Sequence, residues 1–334
     1  MLTILGILGI LAAGVVADAA LSGQSEADDD HEPGGDQSDE VGGHLDLTDN
    51  EQATTPQSND EVRAIEPGRE LSGSNADEVL SGGEGDDFIS AQGGGDLIDG
   101  RDGNDLIHAG SGRDAVWAGR GEDSVYGGEG NDSLDGQDGD DYLNGGDGND
   151  SLTGGMGSDQ IFGDAGDDTL LGGAGNDLLE GGAGKDWLAG GDDGDVILGG
   201  RGEDILDGGS GNDWLAGMSG AVDDFEMDFL NGDVGNDTIM LGAADIATGG
   251  EGADNFQISE TVTHGAAPEI GDYNADEDQL VVMYDSSHHP DPQLTVKVSA
   301  DGGTSTILLD GQAVAVVRGS PVDPADIRLL SNAV

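Results

Sequence analysis

Residues 145–180 divide without remainder into GGDGNDSLT, GGMGSDQIF, GDAGDDTLL and GGAGNDLLE. Extended outward in the same phase, this nine-residue register runs unbroken from Gly73 to Ala216, sixteen units in all. The sixth position holds Glu78 and then Asp at every ninth residue from Asp87 to Asp213. The eighth is always Leu, Ile or Val, from Leu80 to Leu215. The fourth is glycine except at Ala76 and Asp193. A fixed period of this length signals a stacked-repeat architecture in which each unit leans on its neighbours.

Each position has a physical reading. Glycines at positions one, two and four permit the backbone conformations of a sharp turn. The closing x-U-x triplet is expected as a short strand whose middle side chain alone points inward. Two units then form one coil with a turn on each side, and eight coils stack into two parallel sheets about 38 Å long. Turns two units apart bring Asp carboxylates to about one strand spacing, where two bare charges repel by about 3.5 kcal/mol at an effective dielectric of 20. A hard divalent cation turns that repulsion into attraction. Carboxylates and turn carbonyls make an all-oxygen cage that suits calcium better than magnesium. Zinc and copper want His or Cys, and the array holds only His108 and no Cys. The competing reading is a metal-free solenoid whose Asp side chains only cap turns.

These units resemble the RTX calcium-binding family, the nonapeptide parallel β-roll of type I-secreted bacterial proteins. The resemblance implies an all-β, right-handed solenoid over residues 73–257 that unfolds in the low-calcium cytosol and folds after export. It also implies calcium between turns on the same side of the roll. On that basis Asp87, Asp105, Asp123, Asp141, Asp159, Asp177, Asp195 and Asp213 line one edge as metal ligands. Asp96, Asp114, Asp132, Asp150, Asp168, Asp186 and Asp204 line the other. Beyond the regular array, Gly217 to Asn231 reads as a unit with six extra residues that supplies Asp228. Asp237 and Asp254 follow in later units, separated by Leu241 to Thr248, which is one residue short. Asp193 stands where the fourth-position glycine belongs, so the contacts around Asp195 are expected to depart from the pattern.

The flanks differ from the array. Residues 1–20 begin with the apolar run MLTILGILGILAAGVVA, read as a cleaved export signal or a membrane anchor. Residues 21–72 are acidic and lack aromatics, the composition of a disordered spacer. Residues 258–334 contain four short β-rich runs, with Asp301-Gly302 and Asp310-Gly311 as hairpin turns. They are expected to form a small β cap over the open end of the roll. Within them, Ile270-Gly271-Asp272-Tyr273 followed by Asp278-Gln279-Leu280 resembles the stretch after the repeats in serralysin-type proteases, which implies a C-terminal export signal. Both export routes stay open, and either places the chain outside a bacterial cell or at its surface.

Composition narrows the partners. The 334 residues carry 71 Asp or Glu against 10 Lys or Arg, a formal charge of -61. That balance excludes nucleic acid, whose phosphates need Lys and Arg clusters. Absence of Cys excludes disulfides, thiolate metal sites and thiol catalysis. No HExxH or G-x-S-x-G occurs, Gly184-Lys185-Asp186 lacks the hydroxyl residue of a P-loop, and His288-His289 reads as an exposed pair. The expectation is a non-enzymatic protein. Trp117, Trp187, Trp214, Phe88, Tyr126, Tyr142 and Phe162 fall on outward seventh or ninth positions. They offer a face for an extracellular polysaccharide or cell-surface partner, which would fit an accessory module like those of alginate epimerases. A surface-layer or adhesion element is the third alternative.

Overall fold

The computed structural model of the protein describes residues 68–218, 225–259 and 266–331. The apolar segment and most of the acidic spacer lie outside these residues. Among the described residues there are 27 strands, no α-helix and one 3-10 turn, Pro324–Asp326. Odd-numbered strands, from β1 (Glu70–Ser72) and β3 (Phe88–Ser90) to β23 (Gln279–Tyr284), join β27 (Ile327–Ser331) in a 13-stranded sheet. Even-numbered strands, from β2 (Val79–Glu84) to β22 (Glu269–Tyr273), form a second sheet of 14 strands. It ends in β26 (Gln312–Gly319), β25 (Thr304–Leu309) and β24 (Leu294–Val298). Consecutive strands alternate between sheets, and each coil adds one strand to both. The expected parallel β-solenoid is thus present.

Its core is the eighth-position column. Ile89, Ile98, Ile107, Val116, Val125, Leu134 and their successors to Leu215 are fully buried. Each contributes about 2 kcal/mol by leaving water. The strands are longer than the expected triplet. In β10 (Ser151–Met156), Ser151, Leu152 and Thr153 pair with Thr169, Leu170 and Leu171, and Gly155 and Met156 pair with Gly173 and Ala174. Equal coil length keeps the backbone in register past the triplet. Pairing stops where the fourth-position glycine, Gly157, turns to φ +135°.

Three local departures are instructive. First, the roll starts inside the stretch read as spacer, since β1 pairs with β3 through Leu71 and Ile89. Arg69-Glu70-Leu71-Ser72 keeps the phase of the repeat although it precedes the first glycine pair. Second, the six extra residues before Asp228 leave the stack intact. The strand β18 (Phe229–Gly235) pairs in full register with β16 (Ile205–Gly211), and Leu230 stays buried. Third, Asp193 takes the left-handed conformation of the missing glycine, at φ +74°. Such a conformation costs an L-residue about 1–2 kcal/mol, partly offset by the greater unfolded-state entropy of glycine. We expect Asp193→Gly to raise stability by about 0.5–1 kcal/mol in calcium-saturated urea unfolding. An unchanged or lower midpoint would show that the turn is relaxed with aspartate.

The C-terminal segment grows out of the roll. The strands β22, β23, β26 and β27 continue the parallel stacks, with β22 on the strand at Ile246–Thr248 and β27 on β23. Only β24, β25 and β26 form the antiparallel meander of a cap. Asp310 and Gly311, at φ +51° and +86°, make the two-residue turn between β25 and β26. The sequence pattern leaves β22 and β27 unmarked, because neither carries the glycine turn of the repeat.

Candidate metal centre

Every sixth-position Asp from Asp87 to Asp213 is buried, with at most 3 % of its surface exposed; Asp228, Asp237 and Asp254 are buried too. Burial follows from phase: the residue stands two places before an inward aliphatic, where the turn folds over the end of the core. In each coil one carboxylate oxygen, Oδ1, accepts from the backbone N–H of the Asp one coil earlier. The Asp87 N–H donates to Asp105 at 2.8 Å, Asp141 to Asp159 at 2.8 Å, and Asp195 to Asp213 at 2.8 Å. This column runs on through Asp237 and Asp254. The second column begins with Glu78 donating to Asp96 at 2.8 Å and reaches Asp228 through Asp204. Sequence neighbours nine apart therefore part to opposite edges, and residues one coil apart meet.

The second carboxylate oxygen is different. In every such Asp from Asp87 to Asp195, and in Asp213 and Asp237, Oδ2 is buried and has no hydrogen-bond partner. A buried acceptor without a donor costs about 1–3 kcal/mol, and more when charged. One repeated on this scale is consistent with cation binding. In the units that begin with glycine, Oδ2 faces that glycine and the carbonyl of the next coil, while Ala91, Ala109 and Ala118 hold the same position in three other units. A Cβ placed on Gly154 would lie 2.2 Å from Asp159 Oδ2 and 2.7 Å from the Gly172 carbonyl oxygen. The same pair of contacts recurs at Gly136, Gly163 and Gly190. The glycine thus keeps a small oxygen-walled slot open. Among the described residues no three His, Cys, Asp or Glu side chains converge on one point. A cation in a slot would therefore draw on carboxylates from the Asp column and on backbone carbonyls. Such donors fit calcium, which accepts flexible all-oxygen shells.

Electrostatics agree. Burial, aided by neighbouring carboxylates, pushes Asp105, Asp123, Asp132, Asp150 and Asp168 up to about 6. The same causes push Asp141, Asp159, Asp186 and Asp195 up to about 7, against the backbone N–H bonds that lower them. Without a cation the ladder resists full ionisation near neutrality.

Two further columns were not legible in the repeat. Fifth-position side chains also accept from the next coil: Asp86 from the Asn104 N–H at 2.9 Å, Asp140 from Ser158 at 2.8 Å, Asn212 from Asn236 at 2.9 Å. At these places one coil is stitched to the next at two adjacent residues. The column of sixth positions also extends to Asp245 and Asp278, which accept from the N–H groups of Asp228 and Asp254. Counting back from the strand triplet would have found them: Asp245-Ile246-Ala247-Thr248 and Asp278-Gln279-Leu280-Val281 keep the D-x-U-x order. On the outer face of the 13-stranded sheet, Phe88, His108, Tyr126, Tyr142 and Phe162 form a row of ring contacts, edge-on, stacked or tilted, with centroids 4.9–5.9 Å apart. Trp117 and Trp187 lie on the other sheet.

An acidic parallel β-roll with two stacked ladders of buried Asp defines the class. The chain matches the RTX calcium-binding nonapeptide repeat in overlapping segments over residues 72–221 and again over 228–245, half of its length. It belongs to that family, whose repeats bind calcium. No curated protein matches the sequence. The extracellular lipase LipA from Serratia marcescens is similar at 14% identity over 71% of this chain and 45% of that one, with a TM-score of 0.20. The chain spans less than half of the lipase, and a likeness at that score carries no argument about activity.

Proposed function

We propose that the protein is a secreted or cell-surface calcium-binding β-roll that folds on taking up many Ca2+ ions outside the cytosol. The ligands are the fifteen phased residues from Asp87 to Asp213, joined by Asp228, Asp237 and Asp254. Residues 73–257 form the calcium-binding part, and residues 258–334 close its end. The observation that carries this reading is the buried Oδ2 without a donor, repeated coil after coil. The formal charge of -61 gains a meaning: one Ca2+ at each of the fifteen positions returns about 30 charges, half the excess. Far-UV circular dichroism along a calcium titration tests it. We expect β signal to rise steeply between chelator and about 10 mM calcium. Identical spectra at both ends would sink the reading.

A second reading, an accessory module for polysaccharides, is favoured by one surface feature. The outer face of the 14-stranded sheet holds a shallow depression of about 330 Å3 where exposed Trp187 and Phe229 flank Asp207 and Asn231. Asn231 donates to Asp207 at 2.9 Å and accepts from Thr248 at 2.9 Å. Aromatic faces beside a carboxylate and a carboxamide suit sugar C–H faces and hydroxyls. Binding on a glycan array with calcium present would support it, and silence across the array would leave the calcium roll alone.

A further inference from the structure

The ends of the two Asp columns differ from their interiors. The slot at Asp87 is walled by Asp87 Oδ2 and the Gly100 carbonyl oxygen, 2.2 and 2.7 Å from a Cβ placed on Gly82. One coil earlier the same register position is not Asp. It is Arg69, eighteen residues before Asp87. Its backbone N–H donates to Asp87 Oδ1 at 2.5 Å, the bond each ladder Asp makes to its successor. Its guanidinium Nη1 donates to the Gly82 carbonyl oxygen at 2.6 Å. That carbonyl is the first-position oxygen which, one coil later at Gly100, faces only the carboxylate slot.

We infer that Arg69 is a cation tethered to the chain, filling the first slot of its column in place of a carboxylate and its metal. The inference rests on the calcium reading of the slots that follow. The geometry is specific to a guanidinium: it carries a permanent charge and presents donors in a rigid fork on a long stem. It reaches the carbonyl that an Asp side chain could reach only through a bridging ion. The other three ends are closed by hydrogen bonds and need no ion. Glu78 accepts from the Ser74 N–H at 2.9 Å and from the Ser74 hydroxyl. Asp245 accepts at Oδ2 from the Gly242 N–H at 2.6 Å. Asp278 accepts at Oδ2 from the Asn274 N–H at 2.8 Å. Metal slots are therefore bounded at both ends by groups of the chain itself, and the terminal coils can order before any ion arrives there.

Hydrogen exchange on the full-length chain tests this, with wild type, Arg69→Met, Arg69→Lys and Arg69→Asp compared across calcium concentrations. Amides of β1 and β3 report the end; those of strands around Leu143 to Leu170 report that the roll has folded. Arg69→Met should speed exchange at β1 and β3 at least tenfold at every calcium level at which the interior is protected, with the interior unchanged. Arg69→Lys should keep most of the protection. In Arg69→Asp the loss should be repaired by calcium alone. Protection in Arg69→Met equal to wild type overturns the inference while leaving calcium binding untouched. If wild type folds without calcium uptake, the calcium reading fails. The Met and Lys comparison then still decides whether Arg69 closes the end.

Discussion

In the presence of a chelator, lowering the pH from 8 to 5 will fold the chain, as far as protons can stand in for calcium. The sign follows from the buried ladder. Asp105 and Asp123 titrate at about 6, and Asp141, Asp159 and Asp186 at about 7, when the chain is folded. Unfolded, each returns to about 3.9. Between pH 4 and 7 the folded state therefore holds more protons, so stability falls as pH rises through that window. This is the reverse of ordinary acid denaturation, in which paired carboxylates favour the folded state at neutral pH. Saturating calcium inverts the dependence again, because the ion needs ionised ligands and protons compete with it. Calcium affinity should then weaken below pH 6. Circular dichroism with chelator across pH 4–8 checks the first half, and calorimetric calcium titration at pH 5.5 and 7.5 the second. Loss of β signal on acidifying the calcium-free chain would refute the account.

Gly154→Ala is the second large effect. Gly154 is not in a left-handed conformation, so the cost is space alone. The new methyl would stand 2.2 Å from Asp159 Oδ2 and 2.7 Å from the Gly172 carbonyl, both held by the neighbouring coils. Overpacking of this kind costs about 1–3 kcal/mol, and here it narrows a cation slot to the space left beside Ala91, Ala109 and Ala118 in three other units. We expect a lower midpoint of thermal unfolding and weaker binding of calcium at that slot. Gly303→Ala is the control, since its nearest contact is Asp301 Oδ1 at 3.8 Å; it should change neither. An unchanged midpoint together with unchanged calcium affinity in Gly154→Ala would mean that the slot lies elsewhere in the turn.

The parallel roll, its inward aliphatic column and the split of the Asp residues into two edges are all legible in the nine-residue phase. They depend only on periodicity, and periodicity is what a sequence displays. What escaped was set by contacts seventeen or more residues apart. The fifth-position ladder is hidden because Asp, Asn, Ser and Glu share that position and only some serve as acceptors. Asp245, Asp278 and Arg69 are hidden because a count started from the glycines loses step once a unit is short or lacks its turn. The ring stack from Phe88 to Phe162 mixes seventh and ninth positions, which become neighbours only when strands lie side by side. The displaced glycine at Asp193 leaves the hydrogen-bonded stack undisturbed. The rung at Asp195 is kept, with its Oδ1 2.8 Å from the Asp177 N–H, because the aspartate adopts the glycine's conformation.

The eighteen-residue step between hydrogen-bonded partners in the regular array also shapes how the chain assembles. Within the repeat array each strand touches only the strands one or two places away in sequence. The molecule is energetically a one-dimensional lattice in which every coil has two neighbours. Order on such a lattice spreads as a front from whichever site nucleates first, and disorder enters from the termini. Each ion taken up lowers the cost of seating the next coil and leaves remote coils unaffected. Calcium response should therefore sharpen with the number of coils, so that repeat number acts as the gain of a switch.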